Sequence, residues 1–262
     1  MKDAICETVL ITGASSGIGL ELAKCFAADG CKLILLARNQ NALKNLAEEL
    51  RRAHKIQTIV LTADLSPPET PKRIFNELSA QNISVDILVN NAGFGASGAF
   101  ADLPLSRQLE MLQVNIVALT ELTRLFLPGM IKRKRGGILN VASVAGFLTS
   151  PNMAIYYATK AFVLSFTEAL AEELSETNLT VSVLCPGPTE TNFGKIARGE
   201  KARPVQISKM PAKTVARIGH RDFRNRKIIS VPGFKNRVLI FLIRLFPRRF
   251  VCKITKFYNR AK

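Results

Sequence analysis

The feature that most constrains this chain is a repeated change of hydrophobic period. Short β-branched or leucine-rich runs, TVLIT, KLILLA and TIVLTA, are each followed by a longer helical pattern, over 17–29, 39–54 and 67–81. The series continues through DILVN, a helical stretch over about 104–134, GILNVAS, a helix over 153–177, TVSVLC and KIISV near 227–231. Apolar runs without alternation belong to strands buried on both faces, and amphipathic helices between them supply the crossovers that parallel strands need. The expected fold is one doubly wound α/β domain over 1–262, its mostly parallel sheet flanked by helices. No solenoid repeat, low-complexity segment or Pro/Gly/Ser-rich linker divides it.

At 262 residues and 47% hydrophobic composition the chain can bury a sizeable core. Its five cysteines are odd in number, form no C-x-x-C pair and lie mostly in apolar stretches, as expected of buried thiols in a reducing compartment. The opening MKDAICETVLITG holds two acidic residues and runs straight into a strand, so no secretory segment is expected. No run approaches the roughly 20 apolar residues of a spanning helix. A cytoplasmic protein is expected. The net charge of +17 is unevenly placed: residues 1–194 hold 17 Lys+Arg against 18 Asp+Glu, and residues 195–262 hold 20 against 2. The last quarter is therefore the part suited to an anionic partner.

VLITGASSGIG sets Gly13, Gly17 and Gly19 between the first strand and the first helix. Glycines there allow a tight turn and let backbone N–H groups approach a pyrophosphate at the helix N-terminus. The second strand ends in LLARNQ, where Ala37 and Arg38 offer no carboxylate to a ribose 2′-hydroxyl, while Arg38 can pair with a 2′-phosphate. That favours NADP(H) over NAD(H). Tyr156 and Lys160 are spaced i, i+4 and share a helix face. An ammonium near a phenol favours phenolate, so the Tyr156 pKa is expected below its ordinary value of about 10, as acid–base catalysis requires. Tyr157 faces elsewhere, into packing. No cluster has metal-ligand spacing, no metal is expected, and His54 and His220 read as surface residues.

TGASSGIG, NNAG at 90–93, Asn115, Ser143, YYATK at 156–160 and PGPTET at 186–191, taken in order and spacing, resemble the short-chain dehydrogenase/reductase family over roughly residues 5–194. The resemblance implies a Rossmann-type oxidoreductase that interconverts a ketone and a secondary alcohol by hydride transfer. Tyr156 would be the general acid/base, Ser143 would hold the carbonyl oxygen, and Lys160 would lower the Tyr156 pKa and bind the nicotinamide ribose. Asn115 would hold a water of a proton relay. The resemblance also places Ser15, Ser16 and Ile18 with the glycine turn, Asp64 and Leu65 at the adenine, and Asn90, Ala92 and Gly93 by the adenine ribose. Pro186, Gly187, Thr189 and Thr191 would meet the nicotinamide carboxamide and phosphates. A homodimer or homotetramer is expected from the family.

Two segments depart from a bare dinucleotide fold. The irregular stretch 192–213 follows a strand end and is placed to cover substrate, with a disordered basic loop as the alternative. The extension 234–262 begins with a helical pattern over 234–246, apolar around most of its circumference, with Arg237 and Arg244 in a narrow stripe and Pro247 ending it. Beyond it, cations interleave with Phe250, Val251, Ile254, Phe257 and Tyr258. Peripheral attachment to an anionic membrane is the expectation, with packing on the core or a second subunit as the alternative. No nucleic-acid module is present, and nucleic acid ranks last as a partner. A membrane-seeking tail points to apolar substrates such as a 3-oxoacyl chain. The competing reading is a non-catalytic dinucleotide-binding scaffold or membrane adaptor.

Overall fold

A computed structural model describes residues 7–198 and 209–258. Cys6, the middle of the 192–213 stretch, Arg260 and Lys262 lie outside them. The strands are β1 Thr8–Thr12, β2 Lys32–Ala37, β3 Thr58–Thr62, β4 Ile87–Asn90, β5 Gly137–Val141, β6 Thr180–Leu184, β7 Thr189–Glu190, β8 Met210–Pro211 and β9 Ile229–Ser230. The α-helices are α1 Gly17–Ala28, α2 Gln40–His54, α3 Thr70–Ala80, α4 Leu105–Leu112, α5 Ala118–Arg133, α6 Ala154–Glu173, α7 Phe193–Arg198, α8 Ala212–Arg224, α9 Phe234–Ile243 and α10 Arg248–Tyr258.

Seven strands form one sheet in the order β3-β2-β1-β4-β5-β6-β9, every pair parallel. Strands β4 and β5 are buried along their whole length because helices cover both faces, which is why their sequences do not alternate. Two apolar layers result. One packs Leu10, Ile34 and Leu88 with Leu122 and Phe126 of α5, and the other packs Val9, Ile11 and Leu35 with Leu22 and Phe26 of α1. The order reverses between β1's neighbours β2 and β4, and that switch point opens a crevice at the strands' carboxyl ends.

The long stretch near 104–134 is two α-helices joined by a π-helical turn, Gln113–Val117. By length and composition, Leu105–Arg133 could cross a membrane, contrary to the expectation drawn from unbroken apolar runs. It is instead a core helix, with Leu119, Leu122, Phe126 and Met130 buried on the sheet. At the opposite end of the sheet, Asp86 Oδ2 accepts from Thr8 N at 3.0 Å, and Arg135 Nε lies 3.2 Å from Asp86 Oδ1. Gly136, at φ +106°, brings its Cα so close to the Asp86 carbonyl that a Cβ would stand 1.9 Å from it.

Strand β7, just before the 192–213 stretch, pairs with β8 near its end, Thr189 with Met210 and Glu190 with Pro211, so the two ends of the segment lie side by side. Phe193–Arg198 within it form α7. His220 is not a free surface residue: its Nε2 lies 2.9 Å from Asp29 Oδ2 and its ring packs edge-on against Phe26, because α8 lies along α1. Among the described cysteines all are free; Cys31 and Cys185 are buried, while Cys25 and Cys252 are half-buried.

Candidate active site

The first βα turn is built around close backbone approach. Gly13 and Gly17 adopt φ +67° and +57°, and a Cβ on Gly19 would stand 2.4 Å from both the Gly13 carbonyl oxygen and Asn91 Nδ2. Ser15 is half-buried, Ser16 is exposed at the helix N-cap in extended conformation, and Ile18 is half-buried against the core. Thr191 faces Gly17 across the crevice, its Cγ2 3.0 Å from where a Gly17 Cβ would be. Between them lies an open cleft of about 430 Å³, bounded also by Glu190, Asn192 and Lys209. A glycine cradle at a helix N-terminus, facing a threonine across open space, fits a pyrophosphate.

Arg38 follows β2 and Asp64 follows β3, which brings them to 3.9 Å, both accessible. Burial raises the Asp64 carboxyl, but bonds from the Ser66 side chain and N–H, with Arg38 and the Leu65 N–H, outweigh it and hold it below its ordinary range. The Leu65 side chain is buried in the core, leaving only its backbone near the crevice. The Asn90 side chain is turned away from the crevice, which leaves its main chain for the expected place beside a cofactor ribose. That side chain is buried within the fold, donating to Asn140 Oδ1 at 2.9 Å and to Thr123 Oγ1 at 3.1 Å, because β4 is covered on both faces. Ala92 and Gly93 remain at the crevice.

Thr12 and Asn91 were missed by the sequence reading. Thr12 Oγ1 accepts from the N–H groups of Asn91 and Ala92, each at 3.0 Å, and Asn91 Nδ2 donates to the carbonyls of Thr12 and Gly13 at 2.9 and 3.2 Å. The two motifs NNAG and TGASSGIG are thereby pinned to each other. The signal lay in the motifs' polar residues, which their glycines overshadowed.

Ser143 leaves β5 and N-caps a 3-10 turn, Val144–Phe147, its Oγ accepting from Ala145 N at 3.1 Å. The Ser143 hydroxyl stands near enough to the Tyr156 phenol to favour its ionised form. Tyr156 and Lys160, one turn apart on α6, are both buried, and the Lys160 Nζ lies 6.0 Å from the centre of the Tyr156 ring. Lys160 donates to the Val141 carbonyl at 2.8 Å. The Tyr156 pKa is above its ordinary value, not below it: burial raises it, and the Ser143 hydroxyl only partly opposes that. Lys160 is itself lowered to about 8 by burial, with the Cys185 thiol acting against the shift. Tyr157 packs edge-on against Tyr156, ring centres 5.9 Å apart.

Asn115 sits in the π-helical turn, where such bulges often mark functional positions. Its Oδ1 accepts from Phe94 N at 3.1 Å, and its Nδ2 donates to Phe94 O at 2.9 Å and to Thr159 Oγ1 at 3.1 Å. It thus ties the segment after β4 to the helix that carries Tyr156 and Lys160. Pro186 is buried and its carbonyl accepts from Ser143 Oγ at 3.3 Å, while Thr189 Oγ1 donates to the Gly187 carbonyl at 2.9 Å. Phe193 of α7, also missed, packs on Tyr156 along with Gly95; an apolar residue inside the covering stretch was the available sign.

The chain is similar to known proteins over most of its length. The family model for short chain dehydrogenase matches residues 7–201. The mouse "Dehydrogenase/reductase SDR family member 7B" is 31% identical over 92% of this chain and 78% of that protein. A "Very-long-chain 3-oxoacyl-CoA reductase" of Laccaria bicolor is 38% identical over 74% of this chain, which spans 58% of that protein's length. The structure of a short-chain dehydrogenase from Sphingobium yanoikuyae in complex with NADPH superposes with a TM-score of 0.81 at 32% identity, covering 91% of this chain and 93% of that one. With its seven-stranded parallel sheet, its glycine turn and its Ser143, Tyr156 and Lys160 at one crevice, this chain belongs to the short-chain dehydrogenase family.

Proposed function

We propose that the protein is an NADP(H)-dependent oxidoreductase that interconverts an apolar ketone and a secondary alcohol, with Tyr156 as general acid/base. The observation that carries this reading is the convergence of Ser143, at the end of β5, with Tyr156 and Lys160, buried one turn apart on α6 with the Lys160 Nζ 6.0 Å from the Tyr156 ring centre. The glycine cradle, Thr191 and the backbone at Ala92 and Gly93 would hold a dinucleotide, and Arg38 would take a 2′-phosphate. When bound, the nicotinamide supplies the hydride for reduction and accepts it for oxidation.

The chain's own residues handle the proton. Burial keeps the Tyr156 phenol protonated at neutral pH, so it is ready to donate to a carbonyl oxygen as negative charge develops there. Ser143 points at the same place and holds that oxygen. Lys160 stabilises the phenolate left behind, and Asn115 keeps the helix bearing both residues in register with Phe94. Phe193 packs on Tyr156, Ala197 meets both across Gly95, and Phe94, Ala96 and Met153 belong to the same apolar cluster, which suits a hydrocarbon chain. A 3-oxoacyl chain is the substrate class this reading favours, in keeping with the named activity of the Laccaria relative. Solved relatives include complexes with NADPH and with NAD, so the NADP(H) preference rests on Arg38. A homo-oligomer belongs to the reading as well, since Leu105, Leu109, Val117 and Phe162 are exposed on the helices of one face.

Tyr156→Phe tests the whole. Turnover of a long-chain ketone should fall to almost nothing, while titration followed by reduced-nicotinamide fluorescence still gives wild-type NADPH binding. Unchanged turnover would end the assignment of Tyr156, and an absence of turnover in wild type with every ketone tried would favour a dinucleotide-binding scaffold.

A further inference from the structure

The two last helices leave an unusual amount of apolar surface in solvent. Among the described residues, nine of the sixteen exposed large hydrophobic side chains lie within 234–254. On α9, Asn236, Ile240 and Ile243 recur at i, i+4 and i+7 and form the face turned to the protein, where Ile240 is buried. The opposite stripe holds Phe234, Val238, Phe241 and Leu242, and Phe234 and Phe241 are 74% and 64% exposed. Leu245, 66% exposed, and Phe246 carry the surface through the turn to Phe250 and Ile254 of α10. Contiguous exposed apolar surface of this kind marks an interaction site.

The charge around this apolar band has one sign. Lys235, Arg237 and Arg244 flank the α9 stripe, and Arg248, Arg249, Lys253 and Lys256 are exposed on α10. No Asp or Glu occurs between 223 and 258. A second copy laid on the same patch would oppose cation to cation with no carboxylate to answer them. An anionic lipid surface meets both properties at once, taking the apolar side chains below the headgroups and the cations among them.

Both helices are also joined to loops that border the catalytic groups. Gly187 lies against the Asn236 side chain so closely that a Cβ would stand 2.4 Å from its Nδ2, and Asn236 Nδ2 donates to Pro232 O at 2.7 Å. Thr255 Oγ1 donates to Thr149 O at 2.6 Å, and Ser150 Oγ donates to Thr255 O at 3.5 Å. The segment 149–153 leads directly into the helix of Tyr156, and Gly187 follows the Pro186 that accepts from Ser143.

We infer that α9 and α10 dock the protein on an anionic phospholipid bilayer, with the crevice that holds Ser143 and Tyr156 turned toward the lipid. The docking stands on the surface alone; the orientation rests on the reductase reading above. Apolar ketone then passes from the leaflet to the crevice without crossing water.

The test is flotation of the full chain with vesicles of phosphatidylcholine alone and of phosphatidylcholine mixed with phosphatidylserine. Wild type is expected to float with the mixed vesicles and to be released by salt. Arg248→Gln, Arg249→Gln and Lys253→Gln together should weaken partitioning about a hundredfold, roughly fivefold for each cation. Phe241→Ser with Leu242→Ser should abolish it, and because all five side chains are exposed the variants keep the wild-type melting temperature. No flotation of wild type, or flotation equal in all variants, overturns the docking. So does a serine variant that breaks up a self-associated species while leaving flotation untouched. Turnover of a long-chain ketone should rise severalfold on mixed vesicles for wild type only, with NADPH affinity unchanged. Flotation with no such rise overturns the orientation, and flotation with no turnover of any ketone overturns the reductase reading and leaves the docking standing.

Discussion

The Phe193 ring packs on the Tyr156 ring, centres 5.2 Å apart and planes at 48°. Gly95 makes room for both, since a Cβ there would stand 3.0 Å from Phe193 Cζ and 3.2 Å from Tyr156 Cδ2. The covering helix is fastened by Ser97 N donating to Ala197 O at 2.7 Å. Phe193 therefore covers one face of the Tyr156 ring and, on the reductase reading proposed above, would offer apolar area to a substrate chain. Phe193→Ala should raise KM for a long-chain ketone about tenfold, as expected for losing roughly 1.4 kcal/mol of apolar contact. KM for a short polar ketone should change far less. Steady-state kinetics on the two substrates decides it, and equal effects would remove Phe193 from the substrate wall.

Lys160, lowered to about 8 by its burial, predicts the pH dependence of reduction. Below that pH the ammonium is present and stabilises phenolate as Tyr156 gives up its proton; above it the charge is lost while the phenol, raised by burial, stays protonated. The kcat/KM for reduction should be level on the acid side and fall as pH rises through about 8. Lys160→Arg, which stays charged, should move the descending limb to higher pH in whatever activity it retains. A profile identical to wild type would assign the limb to another group.

Arg38 is 67% exposed and bound to little beyond Asp64 at 3.9 Å, so replacing it should leave stability unchanged. Arg38→Ala should weaken NADPH binding by about tenfold to a hundredfold, the range for a charge-assisted hydrogen bond, and leave NADH binding nearly as it was. Parallel fluorescence titrations with the two dinucleotides measure this. An equal loss for both would place Arg38 elsewhere than at a 2′-phosphate.

The sheet was legible because period and burial agree: TVLIT, KLILLA and GILNV read as strands buried on both faces, and they are. Tyr156 and Lys160 share one helix as their i, i+4 spacing predicts, but that spacing alone is common, and their catalytic reading comes from the resemblance of the whole motif set. What failed depended on long-range burial. Asn90 stood in a motif that faces the crevice, yet β4 turns its side chain toward Asn140, fifty residues away. The direction of the Tyr156 shift was misjudged because a charge in sequence proximity says nothing of the desolvation that outweighs it. His220 looked solvated beside Arg221 and Asp222, but its partner Asp29 is 191 residues distant.

That His220 contact gives the stability a pH slope whose sign can be worked out. Burial holds the imidazole below its ordinary value, Asp29 acts against the shift, and Arg224 adds slightly to it. With the folded pKa below the unfolded value of about 6.5, the unfolded chain takes up a proton first as pH falls. The contribution is therefore fully present above about pH 6.5 and is lost as pH falls through the folded pKa. The carboxyls of Asp64 and Asp222 are held below their ordinary range and stay ionised throughout that window, so they add no slope there. The melting temperature of wild type should decline between about pH 7 and 5, and in His220→Asn, which carries no titrating group at this position, that decline should flatten even if the variant melts lower throughout. A wild type that grows more stable over the same fall in pH would show that the ion pair with Asp29 outweighs the burial of the ring.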